Sequence, residues 1–457
     1  MFFYPDSFKY LLEICFGFQF KNWPCNKQII MLFAALVTFS ICANVFVMAP
    51  LDILNGSQKL TYKDKLIGWL GRLKNAKVDG IMIDVWWGLT ERTEKSYDFS
   101  GYVELFGYFK DYGLKIIPVF SFHLCGGNVG DECNVPLPEF VTGSAQQPFF
   151  VDQFGHVDKE YISHGFDDVQ IGSRTPVQMY KEWMSAFKAQ FDTLISEKVI
   201  YSLEIGLGPA GEARFPSYQL AYWDYPGCGE FQSYDAKLKK RLEDDAKATG
   251  HSEWGVNPTT TNGYKSKPGE APFWKDFEEN SWSSPYGQWF MKWYASILHE
   301  HCDKVLKAAR EVFPASVAIS AKIAGIHWWY MTGCHCAENT AGYRNFYEYD
   351  GYRDIVSIFK KYNADVCFTC LEMLPGGSGS NPTYLVQQMI NNAQWAGLNF
   401  EGENALPMYD TGAYDRVVAY VKKGLKTFTY LRLGNTLMEE NNNFDLFAQF
   451  VEKMHQA

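Results

Sequence analysis

The chain has 457 residues, and its 42 lysines and arginines are outnumbered by 52 aspartates and glutamates, which gives a formal net charge of −10. No run of basic residues forms a stripe, so nucleic acids and anionic membrane surfaces are excluded as expected partners. The length would allow roughly two or three average domains, but an α/β barrel uses about 250 residues or more as one domain.

The first predicted element is an apolar segment over residues 29–42. It is shorter than the roughly 20 residues of a membrane span, and its length suits the hydrophobic region of a signal peptide, with Ala43 as a small residue for cleavage. The sequence therefore predicts residues 1–43 as an N-terminal extension with a signal segment. It also predicts no stable membrane insertion and export of the protein through the secretory pathway.

Strand-like runs then alternate with amphipathic helix patterns along the chain. One such helix is predicted over 61–77, where Thr61 and Asp64 resemble a capping box. Repeated strand and helix predict a parallel sheet, and eight repeats predict closure into an α/β fold, a (β/α)8 TIM barrel, with 44–457 as a single catalytic domain. The predicted strands are 44–50, 80–87, 114–122, 201–207, 316–325, 364–370, 397–402 and 427–433.

Two connections are unusually long, over 123–175 and 208–285. Their polar segments, which contain glycine and proline, predict loops on the rim of the barrel, where function concentrates. A last amphipathic helix is predicted over 443–455.

Two glutamates each follow a strand in a loop with glycine and proline: Glu212 in GLGPAGEARFPSY (206–218) and Glu403 in NFEGENALP (399–407). In a parallel barrel, both reach the rim at the carboxyl ends of the strands, where such folds build active sites. Glycoside hydrolysis needs one carboxylic acid to protonate the leaving oxygen and one carboxylate on the other face of the sugar. The sequence therefore predicts Glu212 and Glu403 as catalytic residues of a glycoside hydrolase.

Most loop glutamates are solvated surface groups, so the assignment has competitors. Strand alternation places Glu401 on the same face as Glu403, and spacing alone does not separate the two. The competing glutamates near strand ends are Glu204, Glu372 and Glu401.

From about Asn44 to the C-terminus, the chain resembles the β-amylase family. The resemblance implies a (β/α)8 barrel that removes maltose from the non-reducing ends of α-1,4-glucans such as starch and glycogen, with inversion at the anomeric carbon. It rests on seven segments in this order: DVWWG (84–88), SFHLCGGNVGD (121–131), GLGPAGEARFPSY (206–218), KIAGIHWWY (322–330), FTCLEM (368–373), GENALP (402–407) and TYLRL (429–433).

The resemblance also implies roles for individual residues. Glu212 matches the general acid and Glu403 the general base, while Asp131 matches an acidic residue on a mobile lid and Thr369 lies on a second moving loop. Because inversion needs room for a water molecule, the two catalytic carboxyls are expected to stand roughly 6.5–9.5 Å apart. Six further residues match sugar-contacting or supporting positions: Asp84, His123, Lys322, His327, Asn404 and Arg432.

Two other motifs have competing interpretations. GGNVG (126–130) follows a strand, but prolines follow it where a nucleotide-binding motif would open a helix, so we reject nucleotide binding and predict a glycine-hinged flap. A cysteine and histidine cluster suggests zinc, yet Cys367 and Cys370 lie three residues apart in one strand and point to opposite faces. We therefore expect neither a metal nor a cofactor. The cluster comprises Cys334, His335, Cys336, Cys367 and Cys370.

Three functions remain in competition. The preferred one is an inverting hydrolase that acts on an α-glucan substrate. The alternatives are a catalytically weak glucan-binding relative, which would lack a catalytic glutamate or the lid acid, and another barrel glycosidase that acts on β-linked glycans. Because Glu212, Glu403, Asp131 and Thr369 are all present, the sequence predicts the active hydrolase.

Overall fold

The fold was analysed in a computed structural model that describes residues 43–127 and 131–457. The predicted signal segment over 29–42 and residues 128–130 of the predicted flap lie outside the described residues. The strands are β1 (Asn44–Met48), β2 (Gly80–Trp86), β3 (Lys115–Ser121), β4 (Phe149–Val151), β5 (Val157–Ile162), β6 (Leu203–Ile205), β7 (Ile319–Ile323), β8 (Ala364–Phe368), β9 (Phe400–Glu403) and β10 (Leu425–Tyr430).

Eight parallel strands close into a barrel in the order β1, β10, β9, β8, β7, β6, β3, β2, as the strand and helix alternation predicts. The described helices are α1 (Lys63–Asn75), α2 (Trp87–Thr90), α3 (Ser100–Asp111), α4 (Glu139–Thr142), α5 (Pro176–Ser196), α6 (Ala236–Ala248), α7 (Pro285–Val312), α8 (Cys336–Thr340), α9 (Gly351–Lys361), α10 (Pro382–Ala396), α11 (Thr411–Val421), α12 (Asn435–Glu439) and α13 (Asn443–Gln456).

Two local predictions differ from the structure. The capping box at α1 is wrong: Tyr62 is the N-cap and caps nothing with its side chain, while the Thr61 hydroxyl donates to the Asp52 carbonyl at 2.8 Å. The long connection after β3 is also more ordered than a plain loop, because β4 and β5 form an antiparallel hairpin within it. Neither feature has a periodic sequence signal long enough to reveal it.

The outward residues of the barrel strands join the main hydrophobic core beneath the helices. Strand alternation turns the residues between them inward, and these inward residues differ around the barrel. On β1–β3 five of them form a separate apolar cluster, which we call the apolar wall: Phe46, Met48, Met82, Ile117 and Val119. On β6–β10 they form what we call the polar wall: Glu204, Ser320, Lys322, Asp365, Cys367, Glu401, Glu403, Thr427 and Thr429.

Among the described cysteines, two disulfides are formed, Cys125–Cys133 and Cys228–Cys336. Because the second bridge uses Cys336, this residue is not available to the zinc cluster considered above. Across residues 43–127 and 131–457, no helix combines the length and apolar character needed to cross a membrane.

Candidate active site

Every predicted site residue lies at the carboxyl end of the barrel, either in the last residues of a strand or in the loop that follows it. This is the edge where parallel barrels assemble their active sites. The residues are Asp84 on β2, His123 and Asp131 after β3, Glu212 after β6, Lys322 on β7 and His327 after it, Thr369 after β8, Glu403 on β9 and Asn404 after it, and Arg432 after β10.

Glu212 is presented by a tight turn, a short 3-10 helix over Pro209–Gly211 in the loop after β6. Its backbone forms a parallel bridge with Lys322, and the next N–H donates to the Lys322 carbonyl at 2.8 Å. The side chain is 12% exposed, and its Oε2 accepts a hydrogen bond from Arg214 Nε at 2.6 Å. The Tyr218 hydroxyl lies 3.5 Å from the same oxygen. Both contacts leave Oε1 as the oxygen that can face a sugar.

Lys322 lies between two buried carboxylates. Its Nζ is 3.1 Å from Glu403 Oε2 and 3.3 Å from Glu204 Oε1. Burial opposes the charged form of the lysine, but the carboxylates of Glu204 and Glu403 raise the pKa of Lys322 well above its ordinary value. Lys322 therefore stays a cation and also joins the two predicted catalytic glutamates, through its backbone and its side chain.

Glu403 is the more deeply buried of the two predicted catalytic glutamates, with 1% of the residue exposed. Burial raises the pKa of Glu403 to about 7, and the Lys322 ammonium group opposes this shift. A carboxyl with a raised pKa is a stronger proton acceptor once it is ionised, as a general base requires. However, the Glu403 carboxyl becomes ionised only as the pH rises through its pKa.

Two further buried groups of the site, Asp84 on β2 and His123 just after β3, have shifted pKa values. Burial raises the pKa of Asp84, whose Oδ1 accepts a hydrogen bond from Ser121 Oγ at 2.7 Å, while Arg432 opposes that shift. Burial lowers the pKa of His123 to about 3, with Lys322 adding to the effect. His123 is therefore a neutral imidazole, and its ring contacts Trp86 edge to face. A neutral ring is compatible with an uncharged substrate.

The loops after β7 and β8 are tied together beside the site. The Thr369 hydroxyl accepts a hydrogen bond from the Gly325 N–H at 2.8 Å. His327 Nδ1 lies 2.8 Å from Ser380 Oγ, and burial lowers the pKa of this imidazole to about 4. The two loops therefore position each other.

The loop after β9 is held by Asn404 and Glu372. The Asn404 side chain accepts from the Leu431 N–H and donates to the Leu431 carbonyl, each at 2.8 Å, which joins this loop to the one that carries Arg432. The Glu372 carboxylate accepts hydrogen bonds from the N–H groups of Ala405 and Leu406. Glu372, one of the competing glutamates, is therefore occupied in supporting the loop next to Glu403.

Sequence reasoning missed Arg214 and Tyr218 as partners of Glu212, and it considered Glu204 only as a competitor. Arg214 is a charged residue two positions after Glu212, a signal that could have been used. The position of Glu204 beside Lys322 has no local signal, because β6 and β7 meet only in the folded barrel.

Among the described residues, one group has the donor atoms for a metal: Glu204, Cys367 and Glu403, whose ligand atoms lie within 4.8 Å of one another. The cation already present there is Lys322, which contacts two of the three residues. Burial raises the pKa of Cys367 well above its ordinary value, so this group is a neutral thiol and a poor ligand. We therefore do not assign these residues as metal ligands.

Asp131 lies within the loop that the Cys125–Cys133 disulfide closes. Its Oδ2 accepts a hydrogen bond from the Gly126 N–H at 3.2 Å. Gly126 and Gly127 have positive φ angles of 126° and 83°, a region that favours glycine. Gly130 of the predicted flap lies outside the described residues.

Comparison with known proteins gives consistent matches over the barrel, from about residue 46 to the end of the chain. The model of glycosyl hydrolase family 14 matches residues 46–457. A chloroplastic β-amylase 2 of Arabidopsis thaliana is 40% identical over 435 residues, which cover 91% of this chain and 79% of that protein. A chloroplastic β-amylase 2 of Oryza sativa subsp. japonica is 40% identical over 433 residues, which cover 90% of this chain and 77% of that protein.

These relatives overturn the prediction of export. Both are chloroplastic proteins, so the prediction that the chain is secreted is wrong. The apolar segment over 29–42 was weak support, because apolar length and a small residue do not specify a destination. Ala43, the residue predicted for cleavage, is buried, and its N–H donates to the Met454 carbonyl of α13 at 3.3 Å.

The fold is also similar to that of a solved β-amylase structure. The catalytic domain of a β-amylase from Paenibacillus polymyxa superposes with a TM-score of 0.76 at 30% identity, covering 92% of this chain and all of that one. The family model, the plant relatives and the bacterial structure agree over the barrel and its rim, and the chain therefore belongs to glycosyl hydrolase family 14, together with these β-amylases.

Proposed function

We propose that the chain hydrolyses α-1,4-glucosidic bonds of starch- and glycogen-type glucans from their non-reducing ends and releases β-maltose with inversion. Family membership supports this reaction. The structural observation that supports Glu212 and Glu403 as the catalytic residues is the position of Lys322. Its backbone forms a β-bridge with Glu212, and its ammonium group lies beside Glu403. Residues 44–457 are the proposed catalytic domain, and the single compact unit that the described residues from Ala43 onward form supports this boundary.

Glu212 acts as the general acid. In this role it gives a proton to the glycosidic oxygen while the bond from that oxygen to the anomeric carbon breaks. We assign the donation to Oε1, because Arg214 and Tyr218 contact Oε2. Arg214 thereby fixes the carboxyl in one orientation on a turn that is already held by Lys322.

Glu403 acts as the general base on the opposite face of the sugar. It takes a proton from a water molecule as the water oxygen bonds to the anomeric carbon, so the product has the inverted β configuration. The base must be ionised, and burial raises its pKa to about 7. Activity is therefore lost as the pH falls through the pKa of Glu403. Because Lys322 lowers this pKa, it extends the active range to lower pH.

The remaining polar groups bind and orient the sugar. Asp84, His123 and Arg432 contribute an acceptor, a neutral ring and a guanidinium group from β2, β3 and β10. His327, Thr369 and Asn404 contribute imidazole, hydroxyl and amide groups from the loops after β7, β8 and β9. An uncharged polyhydroxyl substrate suits this mixture, in which each strand end offers a hydrogen-bonding group.

The proposed reaction is tested on soluble starch and on a short malto-oligosaccharide. We expect maltose as the product, and proton NMR of the fresh product should show the β-anomer before mutarotation. A retaining enzyme would release the α-anomer first, and an endo-acting enzyme would release longer oligosaccharides first. Either result would contradict the proposal.

Asp131→Asn is expected to lower kcat by more than about a hundredfold, if the Asp131 charge stabilises positive charge that develops on the sugar in a closed site. Asparagine keeps an oxygen that can accept from the Gly126 N–H, so folding should be unchanged. Steady-state kinetics on soluble starch, with thermal unfolding as the control for folding, measures the effect. Hydrolysis at the wild-type rate would exclude a role for the charge.

A further inference from the structure

The hairpin of β4 and β5 contacts the turn that presents Glu212, and the proposed reaction gives this hairpin no role. One side chain of β5 makes the contact: Glu160 Oε1 accepts a hydrogen bond from the Ala210 N–H at 2.7 Å. Ala210 lies two residues before Glu212, in the middle of the 3-10 helix over Pro209–Gly211. The hairpin therefore reaches the backbone that carries the proposed general acid.

Ala210 has a backbone conformation that alanine rarely adopts. Its φ and ψ angles are 53° and 22°, in the left-handed region, where a Cβ atom is unfavourable. A residue in such a conformation persists when the surrounding contacts hold it there. Within the turn, the Glu212 N–H donates to the Pro209 carbonyl at 2.9 Å. The hydrogen bond to Glu160 adds a contact from outside the turn, at the strained residue itself.

Glu160 is itself held in place through its backbone. Its N–H donates to Asp158 Oδ1 at 2.8 Å, and its carbonyl accepts from the Leu124 N–H at 2.8 Å. Leu124 directly precedes the loop that the Cys125–Cys133 disulfide closes. A side chain that extends from a fixed backbone holds its partner at a defined distance. Glu160 is therefore suited to fix the turn rather than to follow it.

The position of the turn determines where the Glu212 carboxyl lies. Arg214 contacts this carboxyl, but it belongs to the same loop, so it orients the group without fixing the position of the loop. Lys322 holds the backbone one residue after Glu212, and Glu160 holds it two residues before. The acid thus lies between two supports from other strands. Moving a catalytic group by about 1 Å can lower a rate by about a hundredfold.

We propose that Glu160 is a positioning residue of the hydrolytic reaction: its carboxyl oxygen holds the Ala210 N–H and thereby places the Glu212 carboxyl against the glycosidic oxygen. Glu160 acts through the turn and not on the substrate. This inference rests on the proposed role of Glu212 as general acid. It also gives a function to the hairpin of β4 and β5, which lies in a connection that the sequence predicts as a loop.

The proposal predicts a loss that depends on the leaving group. Glu160→Met keeps the length of the side chain but removes the acceptor, so kcat on a soluble malto-oligosaccharide should fall by about a hundredfold. On α-maltosyl fluoride, whose leaving group departs without protonation, the same variant should lie within about threefold of wild type. KM should also stay within about threefold, and thermal unfolding is the control for folding.

Two further variants separate the hydrogen bond from charge and from packing. Glu160→Gln loses the charge, but its amide oxygen accepts from the Ala210 N–H, so it should stay within about fivefold of wild type on both substrates. The distinction is needed because burial opposes the charged form of Arg214, and the charge of Glu160 helps to raise the pKa of Arg214. Lys159→Met, an exposed change at the next position of β5, is the matched control and should leave both rates unchanged.

A second measurement does not depend on catalysis. In protein labelled with nitrogen-15 alanine, the Ala210 amide signal is identified by its loss in Ala210→Gly, a change that the left-handed φ angle favours. Exchange of this amide proton with solvent should be slow in wild type and in Glu160→Gln, and at least about tenfold faster in Glu160→Met. This result would support the hydrogen bond even if the proposed role of Glu212 failed in its own test.

Four results would overturn the proposal. Equal loss by Glu160→Met on both substrates would indicate general damage to the site. Wild-type rates of this variant on both substrates, or an unchanged exchange rate of the Ala210 amide, would show that the contact is not needed. If Glu160→Gln were as impaired as Glu160→Met on the malto-oligosaccharide, hydrogen-bond acceptance would not be the role of Glu160.

Glu212→Gln, measured beside these variants, separates the two levels of the argument. If Glu212→Gln recovers on the fluoride and Glu160→Met does not, the positioning role fails while Glu212 remains the acid. If Glu212→Gln does not recover, the proposed acid is wrong, and the positioning role fails with it.

Discussion

Glu403→Gln is expected to lower kcat on glucan by at least about a thousandfold, which corresponds to roughly 4 kcal/mol of transition-state stabilisation. The amide cannot accept the proton of the attacking water, although it fills the same space on β9. Substrate binding should remain, since binding uses groups on other strand ends. Steady-state kinetics and isothermal titration with maltose measure the two effects separately.

The matched control for this variant is Glu204→Gln. Lys322 lies about as close to Glu204 as to Glu403, so each variant removes one of the two carboxylates that contact the lysine. Glu204→Gln should keep most of the activity, within about tenfold of wild type, because it leaves the base in place. If the two variants lost activity equally, the loss would come from disturbing Lys322, and the assignment of Glu403 as base would fail.

Glu212→Gln is expected to lower kcat on glucan by a similar factor, about a thousandfold or more, because the leaving sugar oxygen no longer receives a proton. The effect should depend on the leaving group. A maltosyl fluoride of α configuration releases fluoride, which departs without protonation, so on this substrate the variant should lie within about tenfold of wild type. Glu403→Gln should remain impaired on the fluoride, since the water still has to be activated.

This pair of substrates distinguishes the acid from the base without reference to the structure. Recovery of Glu212→Gln on the fluoride, together with no recovery of Glu403→Gln, is the expected pattern. The reverse pattern would exchange the two roles. Loss of activity by Glu212→Gln on both substrates would indicate that the turn over Pro209–Gly211 had been displaced, which a crystal structure of the variant would show.

Much of the architecture could be predicted because its signals are local. All eight predicted barrel strands overlap a strand of the closed barrel, since each is an apolar run bounded by turn residues. The capping box at Thr61 was predicted wrongly because a cap depends on backbone angles at one residue, and the Thr61 hydroxyl bonds to Asp52 instead. The short hairpin of β4 and β5 lies in a connection whose polar composition resembles that of a loop.

The candidate site could be predicted in part for the same reason. Glu212 and Glu403 follow strands, and parallel strands present their carboxyl ends at one edge, so their meeting follows from the fold class. The cellular location was predicted wrongly, because an apolar segment of a given length is compatible with several destinations and both chloroplastic relatives contradict export.

The barrel and the rim position of the two glutamates follow from local signals in the sequence, because periodicity and turn chemistry act over a few neighbouring residues. The carboxyls that face Lys322 could not be identified without the fold, because Glu204, Lys322 and Glu403 come from β6, β7 and β9 and meet only when the barrel closes. The same closure buries Glu401, and this burial raises its pKa. Protonation depends on burial and on neighbouring charges, and both arise from contacts between residues far apart in the chain.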